Sequence, residues 1–416
     1  MKNQQKVAVL DGVRTPFVKA GTKLSGESMQ DLGKHVIREL REKSGVRAEE
    51  IDGCIFSTVL LDPSTPNWAR EMVFDAGLPK SLYAYSVSNN CISGLVAASC
   101  AVGEIRNGTA NTVVVGGAES MSNPALLFKK KGSEMFLKLS RARTFGDKLK
   151  LLANFRPGFA LPEMPSVAEP STGLTMGQHM EITAKELSIS REEQDEIAFA
   201  SHDKASKAIE SGLFDDEVVE IAGVKKDTLV RKDTSIEKLE KLRPVFDRSE
   251  AGTLTAGNSS ALTDGASAVL LAGEESLSSL GKEPLAWIKD FEYSAIDPDK
   301  GLLMAPGIAV PRLLERNKLG FDDFDMIEVH EAFGAQVAAN IKAWEEGLME
   351  KKVGKLDRKR LNMFGGSIAL GHPFAATGGR IITTAANQLK KNNWKRALIS
   401  ICAAGAMAGA MILERD

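Results

Sequence analysis

The sequence predicts an α/β fold in which one strand–helix unit is used twice. The first observation is an order of segments that occurs early and again late. Around Cys91 a polar turn, Ser88-Asn89-Asn90, leads into a small-residue helix over 91–105. A polar break at Arg106-Asn107-Gly108, a β-branched strand Thr112-Val113-Val114-Val115 and a Gly116-Gly117-Ala118 close follow it. In the later copy Gly371-His372-Pro373 starts a small-residue helix reaching Leu389, and Lys390-Lys391-Asn392-Asn393 breaks it. Residues 397–401 then read as a buried strand, closed by Cys402-Ala403-Ala404-Gly405. The second observation is that the segment 45–57 resembles 320–329, and each precedes its unit at a similar distance. Strands alternating with helices imply a parallel or mixed sheet covered by helices, and two such halves imply a duplicated core.

The elements fall in order along the chain. Val7-Ala8-Val9-Leu10 is strand-like, and an amphipathic helix spans 31–42, placing His35 on the surface. Ile51-Asp52-Gly53-Cys54-Ile55-Phe56 reads as a strand with Cys54 buried, and Cys100 reads as a helix-core residue. Between the halves, about 123–248, the chain is charged, proline-containing and less regular; this is expected to be a long insertion, with His179 and His202 in helical parts of it and without an assigned role. Sheet-like sequence is expected to resume at Gly252-Thr253-Leu254-Thr255-Ala256-Gly257-Asn258. The expected domains are an amino-terminal half (1–122 plus 249–280), the inserted loop domain (123–248) and a carboxy-terminal half (281–416).

Composition narrows the class. The chain has 416 residues, 43% hydrophobic and 26% charged, as in ordinary soluble globular proteins. With 53 basic and 55 acidic residues the formal charge is −2, so nothing global draws it to nucleic acid. No apolar run approaches the length of a membrane span. The start, Met1-Lys2-Asn3-Gln4-Gln5-Lys6, has neither a signal-peptide core nor an Arg/Ser-rich transit pattern, and the end carries no Ser-Lys-Leu. Four cysteines in so long a chain fit a reducing compartment, so a cytoplasmic location is expected.

With only four Cys and five His, reactive side chains are scarce. Four of them sit in small-residue turns at strand ends: Cys91, His330 in His330-Glu331-Ala332-Phe333, His372, and Cys402. This suggests thiol chemistry assisted by imidazole. A plain alternative is that Cys91 is a small buried residue, the usual fate of cysteine. Metal binding is the rival for two Cys and two His, but their dispersed positions match no usual zinc spacing, so no metal is expected.

Several motifs together resemble the thiolase family. They run from Val9-Leu10-Asp11-Gly12-Val13-Arg14-Thr15-Pro16-Phe17 through Gly116-Gly117-Ala118-Glu119-Ser120-Met121-Ser122, Lys241-Leu242-Arg243-Pro244-Val245-Phe246 and Ala256-Gly257-Asn258-Ser259-Ser260. Asp264-Gly265-Ala266, Gly365-Gly366-Ser367, Gly371-His372-Pro373 and Ala410-Met411-Ile412-Leu413-Glu414 complete the set. Each is weak alone; the order and spacing make them specific. His330-Glu331-Ala332-Phe333, where the family more often has Asn-Glu-Ala-Phe, and a basic segment in the insertion resemble the degradative fatty-oxidation branch, the β chain of trifunctional complexes.

The resemblance implies the thiolase fold, a duplicated five-layer α-β-α-β-α core with an inserted loop domain, and a homodimer or homotetramer. It implies an acyltransferase that cleaves 3-ketoacyl-CoA with CoA, giving acetyl-CoA and a shortened acyl-CoA in fatty acid β-oxidation. Coenzyme A would be a cosubstrate, with no tightly bound cofactor. Cys91 would be the nucleophile, its thiolate favoured by a helix N-terminus, and His372 the base that takes its proton. Cys402 would be the second acid/base, protonating the departing acetyl-CoA enolate. His330 would help form one oxyanion hole, directly or through a water, and the backbone N–H groups of Cys91 and Ala404 the other. Ser260 would contact pantetheine, Met176 would line its channel, and Arg243 would meet a CoA phosphate or be structural.

Two features stand apart. Residues 127–156 carry nine basic side chains against Glu134 and Asp147, with apolar residues interleaved. Such a basic amphipathic hairpin could meet an anionic membrane surface, dock a hydratase/dehydrogenase α chain, cover an acyl tail, or be a solvated face of its own domain. The last loop has Ala406 and Ala408 where the family has glycine; a positive φ at either would add strain. An acetyl-CoA acetyltransferase that forms acetoacetyl-CoA is the enzyme alternative. A non-catalytic thiolase-like binding protein is the other, supported only by these alanines.

Overall fold

The computed structural model describes residues 5–163, 165 and 168–416. The expectation about an amino-terminal leader falls partly on 1–4, outside the described residues. The main strands are β1 (Val7–Arg14), β2 (Gly53–Ser57), β3 (Tyr83–Val87), β4 (Thr112–Glu119), β5 (Thr263–Gly273), β6 (Ala286–Ala295), β7 (Met326–Val329), β8 (Arg396–Ala403) and β9 (Met407–Glu414). The main helices are α1 (Met29–Ser44), α2 (Trp68–Asp75), α3 (Ser93–Arg106), α4 (Lys130–Arg141), α5 (Phe145–Ala153), α6 (Met176–Glu186), α7 (Arg191–Glu210), α8 (Pro306–Asn317), α9 (Gly334–Glu346) and α10 (Thr377–Asn392).

The strands join in the order β7-β8-β9-β6-β1-β5-β4-β2-β3. The duplication is visible in the pairing. β2 runs parallel to β4, which is antiparallel to β5, which is antiparallel to β1. β7 runs parallel to β8, which is antiparallel to β9, which is antiparallel to β6. β1 and β6 then pair with each other, Val7 opposite Ile288, and weld the halves edge to edge.

Strand periodicity makes the layers, because successive side chains point to opposite faces. On β4, Val113 and Val115 pack with α3 and α10, whereas Val114 and Ala118 pack with α1 and α2. On β9, Met411 and Leu413 face α3 and α10, whereas Ala408, Ala410 and Ile412 face α8 and α9. The result is five layers: α1 with α2, one half of the sheet, α3 with α10, the other half, and α8 with α9. Burying each such Val, Leu or Ile is worth about 1.5–3 kcal/mol, so the central helix layer is held from both sides.

The two central helices cross closely because their first turns lack side chains. A Cβ on Gly94 would lie 2.9 Å from the Ala375 carbonyl, and one on Gly378 would lie 2.7 Å from the Leu95 amide. Real Cβ atoms do not approach so near, so the glycines in the first turns of α3 and α10 bring the Cys91 turn against the His372 turn.

Some sequence expectations need correction. The residues 252–258 are irregular, with one isolated bridge from Thr255 to Pro244, not a strand: Asn258 Oδ1 takes the Thr255 amide, Thr255 Oγ1 takes the amides of Gly257 and Asn258, and Glu181 takes those of Thr253 and Leu254. Side-chain acceptors of this kind compete with a sheet ladder. His35 is half-buried on α1 rather than at the surface. α10 begins at Thr377, four residues after Pro373. Cys54 is buried in β2 as expected, whereas Cys100 on α3 is only half-buried. Among the described residues no helix is long and apolar enough to cross a membrane.

Candidate active site

Cys91 sits two residues before α3. Asn90 adopts φ +48°, a left-handed turn that asparagine tolerates better than most residues. The Asn89 amide donates to Ser93 Oγ (2.7 Å), which itself donates to the Asn90 carbonyl (2.6 Å). The Asn90 side chain donates to the Ala404 carbonyl at 2.9 Å, tying this turn to the last loop. The backbone N–H groups of Ala404 and Cys91 point at the sulfur and pull its pKa down, but burial outweighs them and pushes the thiol up to about 12. The resting sulfur is therefore a neutral thiol, not the thiolate expected from the helix N-terminus alone.

His372 Nε2 lies 3.1 Å from Cys91 Sγ. Its Nδ1 lies 2.6 Å from Thr377 Oγ1, and Thr377 donates its own proton to the Pro373 carbonyl at 3.1 Å. The threonine oxygen is then an acceptor, so Nδ1 carries the imidazole proton and Nε2 offers its lone pair to the thiol. Burial, with the positive Arg380 nearby, pushes His372 down to about 3, so the ring is neutral and free to accept.

His330 is fully buried, and its ring centre is 3.9 Å from that of His372. Its Nδ1 meets Ser367 Oγ at 2.8 Å, and its Nε2 has no partner among the described residues. Burial and the neighbouring His372 and Arg380 hold it well below the ordinary histidine range. Cys402, on β8 and 1% exposed, has its thiol pushed up by burial and by Cys91, so the two sulfurs share one enclosure. The fold thus unites all four reactive residues singled out in the sequence.

Cys91, His330 and His372 place their ligand-type atoms within 4.8 Å of one another. Spacing along the chain was therefore no argument against ion coordination. The hydroxyl partner on each Nδ1 holds the ring in a fixed orientation, which suits acid–base work.

The last loop carries the backbone strain foreseen for it. Gly405 has φ +75° and Ala406 φ +55°, whereas Ala408 lies within β9 and is unstrained. Ala406 is held by its carbonyl, which accepts the Ile296 amide at 2.9 Å. Glu169, from the insertion, accepts the Gly405 amide at 2.8 Å and lies near enough to Cys91 to oppose its ionisation. Nothing in the sequence marked Glu169, because its partner is 236 residues away.

Three further buried groups escaped sequence reasoning, although Glu119 and Glu331 lie in quoted motifs. Glu119 accepts from Thr58 Oγ1 and from the amides of Val59, Leu60 and Ala375, pinning the segment before α10 to β4. Glu331 accepts from Ser201, Asn362 and the Ile368 amide, anchoring the His330 loop. Arg380 approaches Glu328 at 3.5 Å and donates to Ser367 at 3.2 Å. A glutamate or arginine beside apolar residues is the available signal, since such groups are rarely buried unless paired.

Of the expected CoA contacts, Ser260 donates its amide to the Ala332 carbonyl at 2.9 Å, next to the His330 loop. Met176, at the start of α6, packs in the cluster that contains Cys402 and Phe333. Arg243 is exposed after the short helix Ile236–Glu240, outside the contacts of the cysteine–histidine cluster.

Comparison with known proteins identifies the family and the fold. Residues 7–275 match the family model "Thiolase, N-terminal domain" and residues 282–415 match "Thiolase, C-terminal domain". The chain is 40% identical to the 3-ketoacyl-CoA thiolase of Pseudoalteromonas translucida, over 98% of this chain and 97% of the other. It is equally 40% identical to that of Pectobacterium atrosepticum, over 98% and 96%. Among solved structures, a Bacillus anthracis acetyl-CoA acetyltransferase is 30% identical with a TM-score of 0.85, covering 99% of each chain. Human mitochondrial 3-ketoacyl-CoA thiolase is 29% identical with the same TM-score and coverage.

Proposed function

The chain belongs to the thiolase family, and on that premise we propose that it is a 3-ketoacyl-CoA thiolase of fatty acid β-oxidation. The observation that carries this reading is the 3.1 Å contact between His372 Nε2 and Cys91 Sγ, made across 281 residues of chain.

In this reading Cys91 attacks the C3 carbonyl of 3-ketoacyl-CoA while His372 Nε2 takes the thiol proton. Because both groups rest neutral, attack and proton transfer are coupled. The C3 oxygen becomes an alkoxide, and the amides of Cys91 and Ala404 or the N–H of His330 are the donors able to receive it. As the carbonyl reforms, the C2–C3 bond breaks and Cys402 protonates C2 of the departing acetyl-CoA enolate. CoA then enters, gives up its thiol proton, and its sulfur displaces the acyl group from Cys91. Shortened acyl-CoA leaves, and the two protons return Cys91 and Cys402 to thiols. CoA is a cosubstrate, and Ser260, Met176 and Arg243 are the residues we assign to it.

Acetyl-CoA acetyltransferase activity is the second reading, favoured by the likeness to the Bacillus anthracis enzyme of that name. CoA-dependent thiolysis over 3-ketoacyl-CoAs of four to about sixteen carbons separates the two, with Cys91→Ser as control. Cleavage of long chains supports the first reading. Cleavage of the four-carbon substrate alone supports the second, and none at any length overturns both.

We also infer a cytoplasmic homodimer or homotetramer. The assembly's support is β3, the strand that ends the sheet on one side, where Tyr83 is exposed. The hairpin of α4 and α5 exposes Leu127, Phe128, Leu137, Phe145, Leu149 and Leu152 among its basic residues. That surface suits an anionic membrane or a hydratase/dehydrogenase α chain. Light scattering and vesicle co-sedimentation test these two inferences; a monomer, or a hairpin that ignores anionic vesicles and an α chain alike, would remove them.

A further inference from the structure

We propose that Arg380 and Ser367 are positioning residues that hold His330 with its proton on Nε2, making that buried N–H a donor to the substrate oxygen. The inference rests on the thiolysis reading, and it starts from what each atom can donate.

A guanidinium only donates, so Ser367 Oγ accepts from Arg380 Nη2 at 3.2 Å. Ser367 is fully buried, and the other contact of its hydroxyl is His330 Nδ1 at 2.8 Å. The serine proton therefore goes to Nδ1. With Nδ1 occupied as an acceptor, a neutral imidazole keeps its proton on Nε2. That atom is buried and has no partner among the described residues. A buried donor without a partner is costly, and that cost is recovered when a ligand oxygen arrives.

The neighbouring ring is set the opposite way. Thr377 directs its proton to the Pro373 carbonyl and so accepts from His372 Nδ1. Two imidazoles 3.9 Å apart thus present unlike faces, a lone pair at Cys91 from His372 and an N–H from His330. Both tautomers are chosen by a hydroxyl, and the hydroxyls differ only in what lies behind them: a carbonyl behind Thr377, a cation behind Ser367. Arg380 is itself fixed by the Glu328 carboxylate at 3.5 Å, and it rides on α10, the helix that His372 precedes. One helix therefore orders both rings.

The test has a spectroscopic arm and a kinetic arm. Nitrogen NMR of the full-length protein labelled at histidine, with His330 identified through the His330→Asn variant, should show Nδ1 unprotonated and Nε2 protonated at His330, and the reverse at His372. Ser367→Ala should mix the His330 tautomers and lower kcat about a hundredfold with little change in KM. Ser367→Thr, which keeps the hydroxyl, should restore most of the rate. In a His330→Asn background the side-chain amide donates without any help, so adding Ser367→Ala should change kcat less than about threefold.

A protonated Nδ1 at His330 in the unaltered protein would overturn the proposal. So would an equal loss from Ser367→Ala in both backgrounds, since a merely structural serine would behave that way. If Ser367→Ala does not fold, the unaltered protein's spectrum and the Ser367→Thr rate still decide. A protein with the expected tautomers but no thiolysis at any chain length would sink the parent reading and leave the relay standing.

Discussion

His330 and His372 are 0% and 4% exposed, whereas Phe145, in the hairpin of α4 and α5, is 80% exposed. Both regions depart from ordinary practice, one by burying polar groups and the other by exposing apolar ones. The central region ties its buried side chains to partners: Arg380 to Glu328 and Ser367, His372 to Thr377, Glu119 to three amides and a hydroxyl. The hairpin answers its own needs locally, through the Thr144 cap on the Asp147 amide and the Phe128–Phe136 contact. Changes at the centre should therefore propagate, and changes in the hairpin should not. The insertion itself divides on this line. Its later part is tied to β1 by the buried Arg14, which binds Glu217 at 2.8 Å and Asp227 at 2.7 Å.

The contrast orders the expected effects. His372→Ala should lower kcat for thiolysis at least about a thousandfold, because Cys91 loses the base that its high pKa makes necessary. Acyl-enzyme formation followed by mass spectrometry checks it, and a loss under tenfold would dismiss His372 as the base. Arg14→Ala should cost about 3–5 kcal/mol in urea unfolding, since two carboxylates would stay buried without their cation. A loss below about 1 kcal/mol would mean water reaches them.

Acid should act on the centre next. Burial, with Arg231 nearby, pushes His202 down to about 4, and its Nδ1 accepts the Arg231 amide at 3.2 Å. A base whose folded pKa lies below its unfolded value of 6.5 gives stability that is complete above pH 6.5 and is lost as pH falls toward 4. His202 accounts for up to about 3 kcal/mol of that loss. Urea midpoints at pH 7 and pH 5 should fall less in His202→Asn than in the unaltered protein, and equal slopes would refute the assignment.

Ala406→Gly should raise stability by up to about 1 kcal/mol, because glycine takes φ +55° without a Cβ penalty. An unchanged melting temperature would show that the loop's contacts absorb the strain. Phe145→Ser should shift unfolding by less than about 0.5 kcal/mol, as expected where a side chain packs on nothing. A larger shift would mean that the hairpin is part of the core, and the comparison between the two regions would fail.

Much of this was readable before the structure. The repeat gave the paired β2–β4 and β7–β8 units, because strand and helix periodicities survive in single-sequence patterns. The four reactive residues stood out because Cys and His are few and sit in turns. The misreadings share a cause. The residues 252–258 have strand-like composition but give their amides to the side chains of Thr255, Asn258 and the distant Glu181, and His35 has a polar ring on a helix face that the fold half covers. Neither outcome is visible without knowing what packs opposite.

The sequence by itself determined the duplicated α/β core, the turns that hold Cys91 and His372, and the exposed basic hairpin. These depend on local periodicity, on glycine and proline placement, and on charge counted along the chain. Only the tertiary structure decided which way each imidazole holds its proton, why the Cys91 thiol rests neutral, and how Glu169 and Arg380 reach the site. Those are properties of desolvation and of hydrogen-bond direction between atoms that segments far apart in sequence bring together, and no pattern along one segment contains them.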